Sequence, residues 1–283
     1  MEPLDVSSER FVCRLAADAE PALEVEPGTV LRIHCRHACD RLVGLGPERA
    51  EAPNPATGPI AVRGAQPGQA LRLDVLEVVP ESPGHIATAA GGPPRAIPIE
   101  EGEALFSSAI RVPIAPMVGV LGVAPGEGSW PTTECGPFGG NLDTKDVAAG
   151  ATVVLPVYRP GGRFVLGDVH AVMGDGEIGG QGLEVAATVT LRAGLEPAPL
   201  APCVYLVRGG ELMTLGTGQT LQEACEAAQR AMVGLLARAR VAAEFDAMKL
   251  LGLAADLRVG QQCCPTKSAR VALPLGLLPA IQA

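Results

Sequence analysis

The residues able to do chemistry are concentrated between positions 134 and 184, in ECGPFGGNLDTKD and LGDVHAVMGDGEIGGQGLE. Side chains alternate along an extended segment, so Asp168 and His170 share one face. A carboxylate beside an imidazole can ligate a hard or borderline metal ion, or serve as an acid–base pair. Gly174-Asp175-Gly176-Glu177 adds two carboxylates in a tight, glycine-rich turn. Ionisable groups this dense are costly to bury unless they are used. The competing reading is a solvated loop, since Asp and Glu are mostly exposed.

Other candidates are weaker. His34-Cys35-Arg36-His37-Ala38-Cys39-Asp40 offers five possible ligands, but a zinc-finger-like site needs a second ligand pair. The remote candidates are the adjacent Cys263 and Cys264; buried cysteines with exposed histidines are the plainer reading. Glu134-Cys135 suggests a thiol nucleophile, yet no local base or cation lowers the thiol pKa. No GxSxG elbow and no phosphate-binding loop occur, and Gly139-Gly140 lacks the dinucleotide-binding spacing. Trp130 stands alone in a loop, where packing is the default.

The elements that must position these residues are mostly strands. Thr29 to Cys39 alternates after Pro27-Gly28. Segments 58–64 and 69–79 flank Pro67-Gly68 and read as a hairpin-like pair, with Leu71, Leu73, Val75 and Glu77 on one face. Segments 151–158 and 163–170 flank the turn Arg159-Pro160-Gly161-Gly162. Further strands are expected at 184–192 and 203–208, and the Pro- and Gly-rich stretch 80–105 reads as a long surface loop. From Thr220 to Arg240 the apolar residues Leu221, Cys225, Ala228, Met232, Leu235 and Leu236 recur at helical spacing, and Thr220 with Glu223 fits a capping box. A second helix is expected over Ala242 to Leu253, then short strands around 256–262 and 269–275. The fold class is therefore mainly β, sandwich- or barrel-like, with a helical pair near the C-terminus. The expected organisation is a single domain over 1–283, β-rich to 208 and helical with short strands from 209.

Composition narrows the function. With 22 Lys+Arg against 31 Asp+Glu the formal charge is −9, which argues against nucleic-acid or anionic-membrane partners. Aromatics are 3%, so Val, Leu, Ile and Ala must fill the core. No apolar run is long enough for a membrane span, and residues 1–20 lack a signal-peptide pattern. The eight cysteines are therefore expected as free thiols in the cytoplasm.

Four ordered segments resemble the acetamidase/formamidase family: NPATGPIAVRGAQPGQ at 54–69, PMVGVLGVAPGEG at 116–128, GGNLDTKDVAAGATVVLPVYRPGG at 139–162 and LGDVHAVMGDGEIGGQGLEVAATVTLR at 166–192. The resemblance implies hydrolysis of a short-chain amide to a carboxylate and ammonia. It also implies a β-rich fold with helices at one side, a divalent metal (zinc in the first instance) and a homo-oligomer. It carries Asn141 and Asp143 in GGNLD, Asp168 and His170 in GDVH, and Asp175 and Glu177 in GDGE into the site. Glu184 matches a later acidic position, and Asp40 an acid on an N-terminal strand. The implied metal ligands are Asp168, His170 and Asp143. The implied catalytic groups are Glu177, Asp175 and Asn141, and the substrate contacts are Asn141, Phe138 and Met173. Three residues depart from the family pattern: Phe138 in place of His, Met173 in place of Gln, and Gln69 in place of an acid. Phe138 and Met173 make the expected site more apolar, which suits a larger or less polar amide. The alternative is a non-catalytic ligand-binding or scaffold member of the same fold.

Overall fold

The computed structural model describes residues 2–39, 53–88, 93–278 and 281. Asp40 lies outside them. Among the described residues, nine strands form a first sheet in the order Leu4–Val6, Thr29–Cys35, Ala187–Glu196, Ala70–Pro80, Thr152–Pro156, Tyr205–Arg208, Glu211–Gly218, Lys267–Pro274, Asp256–Val259. A second sheet runs Cys135–Gly136, Gly139–Asn141, Met117–Gly122, Phe164–His170, Glu184–Val185, Gly84–Ile86, Arg95–Ile97. Ala56–Val62 joins it beside Phe164–His170. Neither sheet closes into a barrel. They share one core, in which Leu31, Ile33, Leu73 and Val189 of the first meet Ile60, Val120, Leu121 and Phe164 of the second.

Period-two alternation explains the third layer. Along Glu211–Gly218, Met213 and Leu215 enter the core between the sheets. Leu212 turns the other way, with Val271 and Leu273 of the neighbouring strand, and meets Ala228, Met232, Leu235 and Leu236 of helix α1 (Leu221–Arg238). The expected capping box opens α1: the Thr220 hydroxyl accepts from Glu223 N–H, and Glu223 accepts from Thr220 N–H. Helix α2 spans Glu244–Ala254 without a side-chain cap. No helix among the described residues is long and apolar enough to cross a membrane.

Four local expectations are corrected. Segments 58–64 and 69–79 are not a hairpin, because Ala56–Val62 belongs to the second sheet and Ala70–Pro80 to the first. Thr152–Pro156 and Phe164–His170 are likewise split between sheets. Both glycine turns are corners that carry the chain across the core; Gly64, Gly68, Gly161 and Gly162 all have positive φ. Glu77 does not share the face of Val75, because a register shift between Thr190 and Leu191 leaves one extra residue opposite; the alternation slips and buries Val78 instead. The stretch 80–105 is not plain loop, since it holds Gly84–Ile86, Arg95–Ile97, Ile99–Glu100 and Glu103–Leu105.

The contact between α1 and the first sheet depends on Gly216. A Cβ there would lie 2.2 Å from both Ala224 O and Ala228 N, which are α1 backbone and cannot rotate aside. Next to it, Thr214 Oγ1 donates to Ala228 O at 2.8 Å. Gly216→Ala should therefore push the helix off the sheet and lower stability by ~1–3 kcal/mol or more, as overpacking does. Urea unfolding of the variant against the parent measures this, and an unchanged midpoint would contradict the packing described.

Candidate active site

The second sheet gathers the acids at one end. His170 closes the strand Phe164–His170, Asp168 lies two residues before it, and Glu184 is its cross-strand partner. Asn141 ends Gly139–Asn141, and Asp143 follows it. Asn54 precedes Ala56–Val62, and Glu177 sits in the turn after Met173. Met117–Gly122 runs between the two site strands, pairing Met117 with His170 and Val120 with Asn141. Gly119 is on this middle strand, and a Cβ there would fall 2.5 Å from Asp143 Oδ1 and 2.7 Å from Asp168 O. The missing side chain is what lets the two carboxylate-bearing segments approach each other.

One hydrogen-bonded chain runs through the site. His170 Nε2 lies 3.2 Å from Glu184 Oε1 and 3.4 Å from Asp168 Oδ1. Asn54 Nδ2 donates to Asp168 Oδ2 at 2.6 Å and to Asn141 Oδ1 at 3.0 Å. Asn141 Nδ2 donates to Asp143 Oδ2 at 2.7 Å. Cys263 Sγ donates to Glu177 Oε2 at 2.9 Å, and Asn141 Nδ2 lies 3.5 Å from Cys264 Sγ. Ligand-type atoms of Asp143, His170 and Glu177 all fall within 4.8 Å of one another, as do those of Asp168, His170 and Glu184. Asp143, Asp168, Glu177 and Glu184 are all buried, so four carboxylates surround one imidazole. The backbone is strained where they sit: Asn54, Asp143, Asp168 and Glu177 have φ of 54°, 40°, 53° and 44°. Non-glycine residues with such angles cluster at functional sites.

The electrostatics follow from burial. Burial opposes the His170 imidazolium, but Glu184 and Asp168 outweigh it and hold its pKa well above the ordinary value. Burial, then the charges of Asp168 and Glu177, push Asp143 well above the usual carboxylate range. Burial lifts Glu184 to about 7 against the pull of His170, and burial also raises Glu177. Burial thus works against ionising Asp143, Glu177 and Glu184 together, and a cation would offset it. Asp143 Oδ1, His170 Nδ1 and Glu184 Oε2 are buried with no hydrogen-bond partner, and these oxygen and nitrogen donors fit a divalent metal.

The remaining expected residues have other surroundings. Asp175 takes no part in these clusters. Its Oδ1 is 2.8 Å from Arg270 Nη2 and its Oδ2 3.1 Å from Lys145 Nζ. Arg270 is fully buried and also pairs with Asp146 at 2.6 Å, so Asp175 anchors the turn that presents Glu177. Asn141 directs its amide hydrogens to Asp143 and Cys264, which suits holding the carboxylates more than holding a substrate. Met173 is buried against Met117 and Ala148. Phe138 is buried against Trp130, ring centroids 5.7 Å apart. Phe138 and Trp130 line a cavity of about 590 Å³ with Tyr158, Cys135 and Thr266; neither Met173 nor any of the site carboxylates lines it. Cys135 is buried, with its thiol near Thr266 O at 3.7 Å and its pKa raised, the reverse of an activated nucleophile. All eight cysteines are free. In the His34–Cys39 stretch Cys35 is buried as expected, but His37 is buried too and Cys39 is partly exposed. Cys263 and Cys264 meet Glu177 and not this stretch. Asn54 and the adjacent cysteines carry no local signal of a place in the site: Asn54 merely opens the NPATGP segment, and Cys263-Cys264 lies about eighty residues beyond the acids.

Known proteins of similar sequence and fold exist. Residues 129–198 match the model of the Acetamidase/Formamidase family. The crystal structure of an acetamidase from Bacillus halodurans superposes with a TM-score of 0.92 and 32% identity, covering 99% of this chain and 100% of that one. A predicted acetamidase/formamidase from Thermoanaerobacter tengcongensis gives a TM-score of 0.91 and 28% identity over 98% of this chain and 97% of that one. The formamidase of Methylophilus methylotrophus is 41% identical over 58 residues, which are 20% of this chain and 14% of that curated relative's length. With a solved acetamidase matched over its whole length, the chain belongs to the acetamidase/formamidase family.

Proposed function

We propose that the protein hydrolyses the carbon–nitrogen bond of short linear amides, releasing a carboxylate and ammonia. The observation that carries this reading is the convergence of Asp143, Asp168, His170, Glu177 and Glu184 in one buried, over-negative cluster. Amide hydrolysis needs an activated water, stabilisation of the tetrahedral oxyanion and a proton for the leaving nitrogen. Asp168, His170 and Asp143, with Glu184 beside them, would hold a divalent cation; the mixed nitrogen and oxygen donors suit zinc. Such an ion, when bound, lowers the pKa of water and polarises a carbonyl.

The chain's own residues supply the rest. Glu177 is the general base. Burial makes its carboxylate more basic than an ordinary one, and the Cys263 thiol fixes Oε2. It takes a proton from water and delivers it to the departing nitrogen. Asn141 and Asn54 orient Asp143 and Asp168. Arg270 and Lys145 hold Asp175, and through it the turn bearing Glu177. We also propose that the protein associates as a homo-oligomer. Exposed Phe245, Met248, Leu253 and Leu257, on and beside α2, support this. Light scattering should then return a mass above 28.9 kDa.

Glu177→Gln should lower turnover of formamide or acetamide by roughly 10²–10⁴-fold, the usual contribution of general acid–base catalysis, with bound metal unchanged. His170→Ala should instead lower metal content, read by elemental analysis. If Glu177→Gln turns over like the parent, Glu177 is not the base. If the parent releases no ammonia from any amide, the non-catalytic alternative gains.

The pH profile carries a sign. Glu177 acts as the ionised carboxylate, so activity should be present at high pH and lost as pH falls through its pKa, which burial raises and the neighbouring His170, like a bound cation, lowers. The acid limb of kcat/KM should therefore vanish or move in Glu177→Gln. An acid limb unchanged in that variant would assign the base to another group.

A further inference from the structure

The hairpin loop between Asp256–Val259 and Lys267–Pro274 brings a different kind of ligand to the same turn. Cys263 Sγ and Cys264 Sγ are 3.8 Å apart, Cys263 Sγ is 2.9 Å from Glu177 Oε2, and the three ligand atoms all lie within 4.8 Å of one another. Two metal–sulfur bonds of about 2.3 Å at a tetrahedral angle hold their sulfurs about 3.8 Å apart. The pair is therefore already spaced as two thiolates on one tetrahedral ion would be. A disulfide would need them at about 2.05 Å.

The loop is built to hold that spacing. Gln261 is fully buried. Its Oε1 accepts from Cys264 N–H at 3.1 Å, and its Nε2 donates to Thr266 O at 2.6 Å. Its own N–H donates to Ser268 Oγ, which in turn donates to Leu142 O, beside Asp143. Gly176 and Gln261 form a β-bridge, so the loop and the Glu177 turn are fixed to each other. Cys263 is exposed, which gives an ion a way in, and Asn141 Nδ2 offers a hydrogen bond to the second sulfur at 3.5 Å.

We propose that Cys263, Cys264 and Glu177 form a second cation site, selective for a soft divalent ion, adjoining but distinct from the oxygen- and nitrogen-rich set around His170. Thiolates select soft ions, whereas carboxylate and imidazole suit harder ones. On binding, two S–H bonds release their protons to solvent, two metal–sulfur bonds form, and Glu177 Oε2 exchanges its thiol hydrogen bond for the ion. On the amidase reading, which this site does not require, an ion here would occupy the base and inhibit.

The probe is cadmium chloride added to the protein as purified, followed by ultraviolet thiolate-to-cadmium charge-transfer absorption. The expected result is a band saturating at one ion per chain, with two protons released per ion. Cys263→Ser/Cys264→Ser, checked for folding by circular dichroism, should lose the band; Cys135→Ala and Cys203→Ala should keep it. Should the double variant misfold, Cys264→Ser alone must weaken the band, and Glu177→Gln must keep it at lower affinity. A parent without a band, or a band undiminished in the folded double variant or in Cys264→Ser, would overturn the proposal. The absorption does not depend on turnover, so a cadmium band in a protein whose cadmium-free parent releases no ammonia from any amide would sink the amidase reading and leave this one standing.

Discussion

Four buried carboxylates around one imidazole are the constraint to which the rest of this structure answers. Burial disfavours each charge, and proximity makes the carboxylates disfavour one another. Something must hold the segments together against that repulsion. Gly119 removes the side chain that would separate Asp143 from Asp168, and Asn54 and Asn141 place amide donors between the acids. The positive φ angles at Asn54, Asp143, Asp168 and Glu177 show the backbone held in unfavourable conformations by its surroundings. Such strain persists only when the neighbouring structure over-determines it, and two sheets packed across a common core provide that rigidity.

A separate charge system supports the first from behind. Arg270 is fully buried between Asp146 and Asp175, and Lys145 reaches Asp175 from the outside. A buried guanidinium contributes little net stability by itself, but removing one partner of such a pair is expensive. Its position therefore fixes geometry: it ties the last long strand of the first sheet to the turn that carries Glu177. Two acids two residues apart thus have opposite surroundings. Asp175 faces cations, and Glu177 faces a thiol and other acids.

Much of this was legible in the sequence, and the exceptions have physical causes. Strand alternation put Asp168 and His170 on one face, and they meet at 3.4 Å. The helical spacing and capping box of α1 were equally local signals, readable without knowing the fold. Turn chemistry at Pro67-Gly68 and Gly161-Gly162 marked where the chain reverses. It could not say whether the next strand pairs with its predecessor or crosses to the other sheet, because that depends on which faces need covering. The slip of alternation at Glu77 is set by the partner strand, and no feature of 70–80 alone announces it. Asp175 and Glu177 look equivalent in GDGE; only the approach of Arg270, ninety-five residues on, separates them. The pairing of Cys263 with Glu177 and the wedge made by Asn54 are long-range facts of the same kind.

The polar chain from Asn54 to Cys264 has a consequence for how the protein is made. Its members come from nearly every stretch of the chain: before Ala56–Val62, around Gly119 and Asn141, through Asp168 to Glu184, and the loop ahead of Lys267–Pro274. Contacts of such long sequence separation form slowly, because loop closure must precede any reward from pairing. During synthesis, the loop with Cys263 and Cys264 emerges after every other member of the cluster. Until then the acids have no completed frame and the second sheet lacks its final tether. A nascent or truncated chain should thus be a carboxylate-rich, open-edged species whose exposed strands invite wrong partners. The cluster is complete only once the hairpin that carries Cys263 and Cys264 has docked beside Glu177, which makes its state a reporter on the joining of segments from both sheets.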